Sequence, residues 1–362
     1  MVTDNASACP EQSRTYRQHM IDTLAHRPDP YPCYRRLRER GAHQLPDGRW
    51  VVATAADVTA VLNDPGAIVG FAPTDHPLAA LQARMARFSD GADHAERRAS
   101  CRRHLRRIDP ADLRRAARAL TRERIAGAAR SDVMAAVARH VPVALLAAAL
   151  GVADTDAAVQ ATRRLCLALA PPLDAGPIAT GDAEHRLPAL LDHTADGTDD
   201  HVVNAVALLF QAMDATAGLI GNALLAAHRH SGGTDDQVTE TARHDAPVHL
   251  TTRLAAAPLR VGGRTIPAGD RVIVLLAAAN RDGRRYPRPD RFVTGRGAGS
   301  FTFGAGPRAC PGAEHARALT AGVLDALPPA RTRLDDRPVT FERRANLRIP
   351  RTLMVRAREG SL

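Results

Sequence analysis

Lysine is absent from this chain: all 49 basic residues among its 362 are arginines, against 39 acidic residues. Aromatic residues make up only 3%, so the core must be built mainly from Ala, Leu and Val. Abundant Arg and Ala are typical of a GC-rich genome, although a net charge of +10 also suits acidic partners. The basic residues are not interleaved with aromatics and no nucleic-acid motif is present, so we expect no nucleic-acid binding.

Cysteine is also scarce, and the spacing of the cysteines argues against two kinds of structural cross-link. No pair has C-x-x-C spacing, which argues against a disulfide framework and a zinc cluster. The five cysteines are Cys9, Cys33, Cys101, Cys166 and Cys310. No apolar run approaches the roughly 20 residues that cross a bilayer, and the N-terminal segment lacks an apolar h-region and a cleavage site. We therefore expect a cytoplasmic bacterial protein without membrane association.

The pattern along the chain predicts a loose polar arm over 1–28 and a single catalytic domain over 29–362. Residues 29–65 predict a helix, a strand pair and a second helix, because Asp47-Gly48 has hairpin chemistry. Residues 66–88 have a loop-like composition. From Asp90 to about Ala170 the pattern is helical, with breaks at Pro110 and near Gly151.

The second half of the chain contains its longest predicted helix, over 201–230. This segment is apolar almost all round, so it should run through the middle of the protein. Short strands are predicted over 271–277 and 352–357, and a helix over 314–327. The fold class is therefore mainly α with a small β region (α+β).

The strongest motif is FTFGAGPRACPGAEHARAL, residues 301–319. Glycines at 304, 306 and 312 would let the backbone turn sharply and approach a flat ligand closely. Cys310 stands just before a predicted helix, where amide donors and the helix dipole stabilise a thiolate. The alternative is an ordinary buried cysteine in a glycine-rich loop.

This segment resembles the haem-binding loop of cytochromes P450, F-x-x-G-x-[HR]-x-C-x-G. The matching residues are Phe303, Gly306, Arg308, Cys310 and Gly312, followed by Ala313 and Arg317. The resemblance implies a P450 fold with haem b between the long central helix and the helix after the cysteine loop. It makes Cys310 the thiolate ligand to iron and places Phe303, Gly304 and Gly312 at the cofactor. It also implies electrons from NAD(P)H through a ferredoxin reductase and a ferredoxin, and a monomeric enzyme.

Two further motifs resemble conserved structural parts of the same family. Glu240 and Arg243 match E-x-x-R, although such a pair could also be a surface salt bridge of little value. The segment 278–292 resembles the meander that precedes the cysteine loop. By this resemblance Arg291 binds the Glu240–Arg243 pair and fixes the fold beneath the haem.

Haem propionates need cationic donors, because a buried unpaired carboxylate is costly. The segment 90–98 resembles the family motif whose His and final Arg bind propionates, here His94 and Arg98. Residues 244–253 match the segment that ends in another propionate-binding Arg, here Arg253. Arg308 of the cysteine loop would add a third guanidinium.

The central helix departs from the family pattern [AG]-G-x-[DE]-T-[TS]. Here the residues are Gln211, Ala212, Met213, Asp214, Ala215 and Thr216. The acid is retained, but Ala215 replaces the threonine whose hydroxyl helps deliver the protons that dioxygen activation needs. Thr216 is rotated by about 100° around the helix and cannot simply take its place. Gln211 or water could relay protons instead, the substrate could carry the needed group, or the reaction could do without the relay.

The chain is also shorter than most members of the family, and the loss lies between Arg98 and Asp214. A helix near 153–170, a loop over 171–182 and a short helix near 183–193 would form a thin roof over the substrate. We therefore expect an open pocket for a bulky or extended substrate, although simple trimming without functional meaning is the alternative. By analogy with the family, the pocket-facing positions are Gln211, Ala212, Ala215, Val248 and His249.

The sequence therefore predicts a monooxygenase that oxidises a C–H bond of a specialised metabolite. One alternative is oxidative decarboxylation, coupling or cyclisation of a peptide-like substrate, as in compact P450 enzymes of bottromycin-type pathways. An alternative of another class is a non-catalytic recruitment partner, suggested by Ala215. Four arginines of one predicted helix, Arg102, Arg103, Arg106 and Arg107, could contact an acidic ferredoxin or could simply form a solvated face.

Overall fold

The computed structural model describes residues 20–71, 78–175, 199–297 and 299–358. Its α-helices are α1 (Met20–Leu24), α2 (Tyr31–Arg40), α3 (Ala55–Asn63), α4 (Ala79–Arg84), α5 (Gly91–Arg106), α6 (Pro110–Ile125), α7 (Val141–Ala149), α8 (Thr155–Leu169), α9 (Asp199–Ala227), α10 (Thr234–His244), α11 (Leu276–Ala279) and α12 (Ala313–Ala326). A π-helical segment, Met134–Ala138, precedes α7. Three single-turn 3₁₀ segments are Ala86–Phe88, Phe301–Phe303 and Gly306–Arg308.

The strands are short and form three small sheets. They are β1 (His43–Gln44), β2 (Trp50–Val52), β3 (Ala67–Ile68), β4 (Arg130–Asp132), β5 (Thr251–Ala255), β6 (Leu259–Val261), β7 (Arg264–Ile266), β8 (Arg271–Val274), β9 (Thr332–Leu334) and β10 (Met354–Ala357). The largest sheet has the order β1-β2-β8-β5-β3, the second has the order β4-β10-β9, and β6 pairs with β7. The predicted fold class, mainly α with a small β region, is confirmed.

The central helix α9 is 29 residues long and organises the main hydrophobic core. It packs against helices from both halves of the chain, namely α5, α7, α8, α10 and α12. Its segment Val202–Ala227 is long and apolar enough to span a bilayer, but 78% of its most apolar window is buried within the protein. This burial is what an internal helix of a folded domain shows, as the all-round apolar pattern predicted.

Several predicted elements need correction. Part of the predicted loose arm is ordered, because α1 inserts Ile21 and Leu24 into a buried cluster. The predicted loop over 66–88 contains β3, α4 and a 3₁₀ turn; residues 72–77 lie outside the described part. Strand β4, within the predicted helical region, pairs with β10 and was not predicted. The predicted helix near 183–193 and most of the loop over 171–182 also lie outside the described residues.

Candidate active site

The cysteine loop is a tight irregular segment between two 3₁₀ turns and helix α12. The Cys310 amide donates to the Phe303 carbonyl at 2.7 Å, which folds the loop back on itself. Gly304 and Gly306 have φ angles of 71° and 66°, a left-handed conformation that strongly favours glycine. Gly312 caps α12, so Cys310 lies just outside the N-terminus of this helix, as the motif predicted.

Gly306 is also required by a close approach to helix α3. A Cβ at this position would lie 2.7 Å from both the Leu62 carbonyl oxygen and the Asn63 Oδ1. Real Cβ atoms do not approach backbone oxygens this closely, so any larger residue would push the loop away from α3. Helix α3 thus fixes the position of the cysteine loop at Gly306.

The Cys310 side chain is accessible, yet burial raises the pKa of its thiol. The thiol is therefore exposed, while the protein around it still disfavours its charged form. The Gly312 amide hydrogen bond and the Arg98, Arg317 and Arg87 charges oppose the burial effect on this pKa but do not outweigh it. The helix terminus therefore acts on this pKa in the predicted direction, although burial has the larger effect.

Arg98 and His94 lie on helix α5 beside this loop. The Arg98 guanidinium donates to the Ala309 carbonyl, next to Cys310, while its buried Nε has no acceptor among the described residues. Burial, followed by the Arg308 and Arg98 charges, lowers the pKa of His94 to about 4. The imidazole is therefore neutral at pH 7 and can still donate one hydrogen bond.

Arg308 is already paired with a carboxylate of the protein. Its guanidinium contacts the Asp90 carboxylate and the Ser89 carbonyl. Asp90 in turn accepts from the Val69 amide at 2.9 Å and the Gly70 amide at 3.0 Å. Arg308 thus joins the cysteine loop to the start of α5, a tie that the sequence did not reveal.

Arg253, on β5, completes the predicted cationic set. One guanidinium nitrogen donates to the Thr251 hydroxyl at 3.1 Å and to the Thr252 carbonyl at 2.7 Å. Burial and the charges of Arg308 and Arg87 lower its pKa to about 10, so it remains charged at pH 7. The charge of Arg308 acts on both Arg253 and Arg98, so the structure brings the three guanidiniums into one electrostatic neighbourhood, and Arg98 lies close to Cys310.

On helix α9 the predicted catalytic positions face two different directions. Gln211, Ala212 and Ala215 are partly accessible, whereas Asp214 and Thr216 are buried at 7% and 4% exposure. Ala215 lies about one turn after both Gln211 and Ala212, so these three positions border one helical face. Thr216 is buried and about 100° further around the helix than Ala215, so it does not share the accessible face of Ala215, in agreement with the predicted rotation. The Gln211 amide donates to the Ala207 carbonyl at 3.1 Å.

Asp214 belongs to a buried ion cluster. It lies 3.4 Å from Arg139 and 3.2 Å from Arg344. Both arginines also contact Glu342. The cluster borders a cavity of about 160 Å³ between α8, α9 and the C-terminal segment. Sequence reasoning missed the two arginines and Glu342, because they come from a π-helical segment and an irregular segment far from any motif.

The Glu240–Arg243 pair is buried rather than a surface salt bridge, with exposures of 3% and 1%. Arg243 donates from Nε at 2.9 Å and from Nη2 at 2.6 Å to the two carboxylate oxygens. The predicted third member is wrong: Arg291 is exposed and contributes its carbonyl oxygen to Arg243. Arg296 instead donates from Nε to Glu240 Oε1 at 2.9 Å.

These donors decide the ionisation of Glu240. Burial alone would raise its pKa, but the hydrogen bonds from Arg243, the Val293 amide and Arg296 hold the pKa below its usual range. The carboxylate is thus charged and fully engaged at pH 7.

One predicted pocket residue, His249, does not face a pocket. It has no exposed surface, and its Nδ1 lies 2.7 Å from the Tyr34 hydroxyl within a cluster that also contains Tyr31. Burial, followed by the Arg348 charge, lowers its pKa to about 3. Val248 is partly accessible and forms an isolated bridge with Leu347, so it remains a candidate pocket residue.

The four arginines that were predicted to contact a ferredoxin form an exposed row at the end of α5. Arg102, Arg103, Arg106 and Arg107 are all exposed. The same helix end adjoins the helix of the cysteine loop, since His315 Nε2 lies 3.0 Å from the Leu105 carbonyl oxygen.

Comparison with known proteins gives this arrangement a family. A family model described as "Cytochrome P450" matches residues 234–320. The chain is 30% identical over 348 residues to cytochrome P450 monooxygenase PikC of Streptomyces venezuelae, covering 80% of each protein. It is 34% identical over 173 residues to putative cytochrome P450 133B1 of Xylella fastidiosa; there the match covers only 43% of this chain and 42% of that protein. The crystal structure of CalO2 superposes with a TM-score of 0.74 at 25% identity, covering 96% and 98% of the two chains.

The fold and the site thus define a haem-thiolate oxidoreductase. The chain belongs to the cytochrome P450 family, and the predicted enzyme class, monooxygenase, is confirmed. Members of this family hold haem b and receive electrons from NAD(P)H through redox partners, and bacterial members use a ferredoxin and its reductase.

The residues of this chain fit that cofactor. An exposed thiol lies just before the N-terminus of α12, a buried arginine nitrogen beside it has no acceptor among the described residues, and two further guanidiniums share the neighbourhood. This is the donor set that one thiolate-bound metal and two carboxylates require.

Proposed function

We propose that this monooxygenase oxidises a C–H bond of a bulky specialised metabolite, and that the substrate itself completes the proton relay. Cys310 would hold the iron of haem b, which supplies the activation of dioxygen when bound. His94, Arg98 and Arg253 would bind the propionates, and Arg308 would support them while paired with Asp90. Residues 29–362 would act as one catalytic domain.

The observation that carries the proposal is the accessible face of α9. Ala215 occupies this face without a hydroxyl, and its neighbour Ala212 offers only a methyl group. Asp214 is held by two guanidiniums away from this face, and Thr216 is buried. A positioned proton donor contributes roughly 10²–10⁴ in rate, so a substrate hydroxyl, carboxylate or amide is the natural replacement.

Several features support a biosynthetic rather than a general detoxifying role. Alanine at the alcohol position favours a substrate that brings its own polar group. The short segment between Arg98 and Asp214 favours an open pocket for a bulky molecule. The chain also resembles PikC, a cytochrome P450 monooxygenase of Streptomyces venezuelae.

The test is the Ala215→Thr variant, assayed with surrogate ferredoxin and reductase on a substrate that shifts the Soret band. We expect the ratio of product to released hydrogen peroxide to change less than about twofold, because the substrate already delivers protons. A large gain in this ratio would show that the wild-type enzyme lacks a relay and would overturn substrate assistance. The matched control is Ala212→Ser, which adds a hydroxyl to the same face one turn earlier.

Oxidative decarboxylation, coupling or cyclisation of a peptide-like substrate is the second candidate, since these reactions also use a substrate carboxylate or amide. A non-catalytic recruitment role is a third candidate, suggested by Ala215. The complete Cys310 loop and the buried Glu240–Arg243 pair favour catalysis. Haem occupancy together with NADPH-driven oxygen consumption would separate the third candidate from the others.

A further inference from the structure

The cavity of about 160 Å³ between α8, α9 and the C-terminal segment is lined by more positive than negative charge. Its acidic side chains are Asp174, Asp214 and Glu342. Its basic side chains are Arg139, Arg163, Arg343, Arg344 and Arg351. Two guanidiniums of the lining are therefore in excess over its carboxylates. None of the residues that would hold haem is part of this lining.

The inner wall of this cavity is a closed ion cluster with one donor to spare. Asp214 and Glu342 each contact both Arg139 and Arg344. Arg344 also donates to the Ala170 carbonyl, so all three of its nitrogens are used. Arg139 uses only Nε and Nη2, and its Nη1 has no acceptor among the described residues. The inner carboxylates therefore cannot balance any further guanidinium.

At the rim of the cavity two arginines lack a counterion. The one acidic side chain there, Asp174, lies 3.5 Å from Arg351. Arg163 and Arg343 are exposed, and neither forms an ion pair with a described residue. The Arg343 carbonyl accepts from the Leu173 amide at 2.6 Å, which ties the two chain segments of the rim together. Two like charges beside one cavity repel each other, and a bound anion would relieve this repulsion.

We propose that this cavity binds a phosphate group at a site separate from the haem. The excess of two guanidiniums matches the charge of close to −2 that a phosphate monoester carries near neutral pH. Guanidiniums recognise phosphate oxygens through paired, charge-assisted hydrogen bonds. The cavity has room for several waters, each of which takes roughly 30 Å³, and so for a phosphate group. Arg163 and Arg343 would bind it from the rim and Arg139 Nη1 from the inner wall.

The experiment is equilibrium dialysis of the haem-loaded protein against radiolabelled inorganic phosphate, with the ionic strength held constant by sodium chloride. We expect one phosphate per chain with a Kd below about 1 mM. The double variant Arg163→Gln, Arg343→Gln should weaken binding at least about tenfold, because each change removes a charged donor. Asp174→Asn, which removes the counterion of Arg351, should tighten binding about two- to fivefold. The matched control is Arg118→Gln, Arg122→Gln at exposed positions of α6, which should bind phosphate like the wild type.

Three results would overturn the site: the absence of saturable binding, an equal loss of affinity in both double variants, or a phosphate-induced Soret shift that persists in Arg163→Gln, Arg343→Gln. The second would mean that phosphate binds the basic surface in general, and the third that it binds in the haem pocket. Competition by phenyl phosphate distinguishes the sources of the group. If it displaces the labelled ion, the cavity accepts a phosphate carried by a larger molecule; if it does not, the ligand is the free ion. The proposed monooxygenase reaction stands or falls independently of these results.

Discussion

Arg296 Nε lies 2.9 Å from Glu240 Oε1, and this contact makes Arg296 the third member of the buried pair formed by Glu240 and Arg243. Its other nitrogens donate to the carbonyls of Pro287 at 2.6 Å, Arg288 at 3.0 Å and Arg291 at 2.9 Å. One side chain therefore ties α10 to the irregular segment that leads into the cysteine loop.

We expect Arg296→Ala to lower the free energy of unfolding by about 2–4 kcal/mol, because it leaves a buried carboxylate with one partner fewer. It should also reduce the haem content of the purified protein. The control Arg291→Ala should cost less than about 0.5 kcal/mol, since that side chain is exposed. Urea unfolding and the pyridine haemochrome assay measure the two effects. If Arg291→Ala instead lowered the free energy of unfolding more than Arg296→Ala, Arg291 would be the third member of the pair, as the family resemblance implies.

The propionate assignments predict unequal effects on haem retention. Arg98→Gln and Arg253→Gln should speed haem loss roughly tenfold or more each, because each would remove a charge-assisted hydrogen bond. Arg308→Gln should have a smaller effect on haem loss and a larger one on stability, since Arg308 is paired with Asp90. The rate of haem transfer to apomyoglobin provides the measurement. Equal rates of haem loss for the three variants would contradict the view that Arg308 mainly pairs with Asp90.

The exposed arginines at the end of α5 predict a salt-dependent electron transfer. The triple variant Arg102→Glu, Arg103→Glu and Arg106→Glu should slow reduction by an acidic ferredoxin roughly tenfold at low salt. The wild-type rate should fall as ionic strength rises, because salt screens the attraction. The charge-matched control is a second triple variant, Arg260→Glu, Arg264→Glu and Arg271→Glu, at exposed positions of β6, β7 and β8. Unchanged rates and salt dependence in the triple variant would mean that this face is only a solvated surface.

The buried histidines predict a loss of stability in mild acid. The folded-state pKa of His249 is about 3, below its unfolded value of roughly 6.5. The unfolded chain therefore takes up a proton as the pH falls below about 6.5, whereas the folded protein does not. His249 alone should lower the free energy of unfolding by about 1.4 kcal/mol per pH unit between pH 6 and 5.

The variant His249→Gln keeps an acceptor for the Tyr34 hydroxyl. Between pH 6 and 5 its free energy of unfolding should fall less steeply than that of the wild type, by the amount that His249 contributes. His244, whose pKa is lowered to about 4 by burial and then by Arg281, and His94, whose pKa is also about 4, should maintain the remaining slope. A wild-type slope in His249→Gln would mean that His249 titrates normally.

Sequence reasoning succeeded where the chemistry is local. Helix α9 follows from a long segment that is apolar almost all round, and the cysteine loop follows from glycines, which adopt positive φ angles readily. It failed where two similar side chains competed for one partner. Arg291 and Arg296 are five residues apart on an irregular segment, and only the tertiary path of the chain decides which guanidinium reaches Glu240.

Short elements and reversed side chains account for the other errors. Strand β3 has two residues and β4 has three, too few for a period to be read. His249 precedes β5 by two residues. Its side chain points into the core and not, as predicted, into the pocket.

The Asp90 carboxylate gathers three segments that are far apart in sequence: the end of β3 through two backbone amides, the start of α5, and the cysteine loop through Arg308. All these partners are groups of the protein itself. The chain can therefore order its thiol loop during folding, before any cofactor arrives. Haem would then dock into a preorganised cradle, and little of its binding free energy would be spent on arranging the loop.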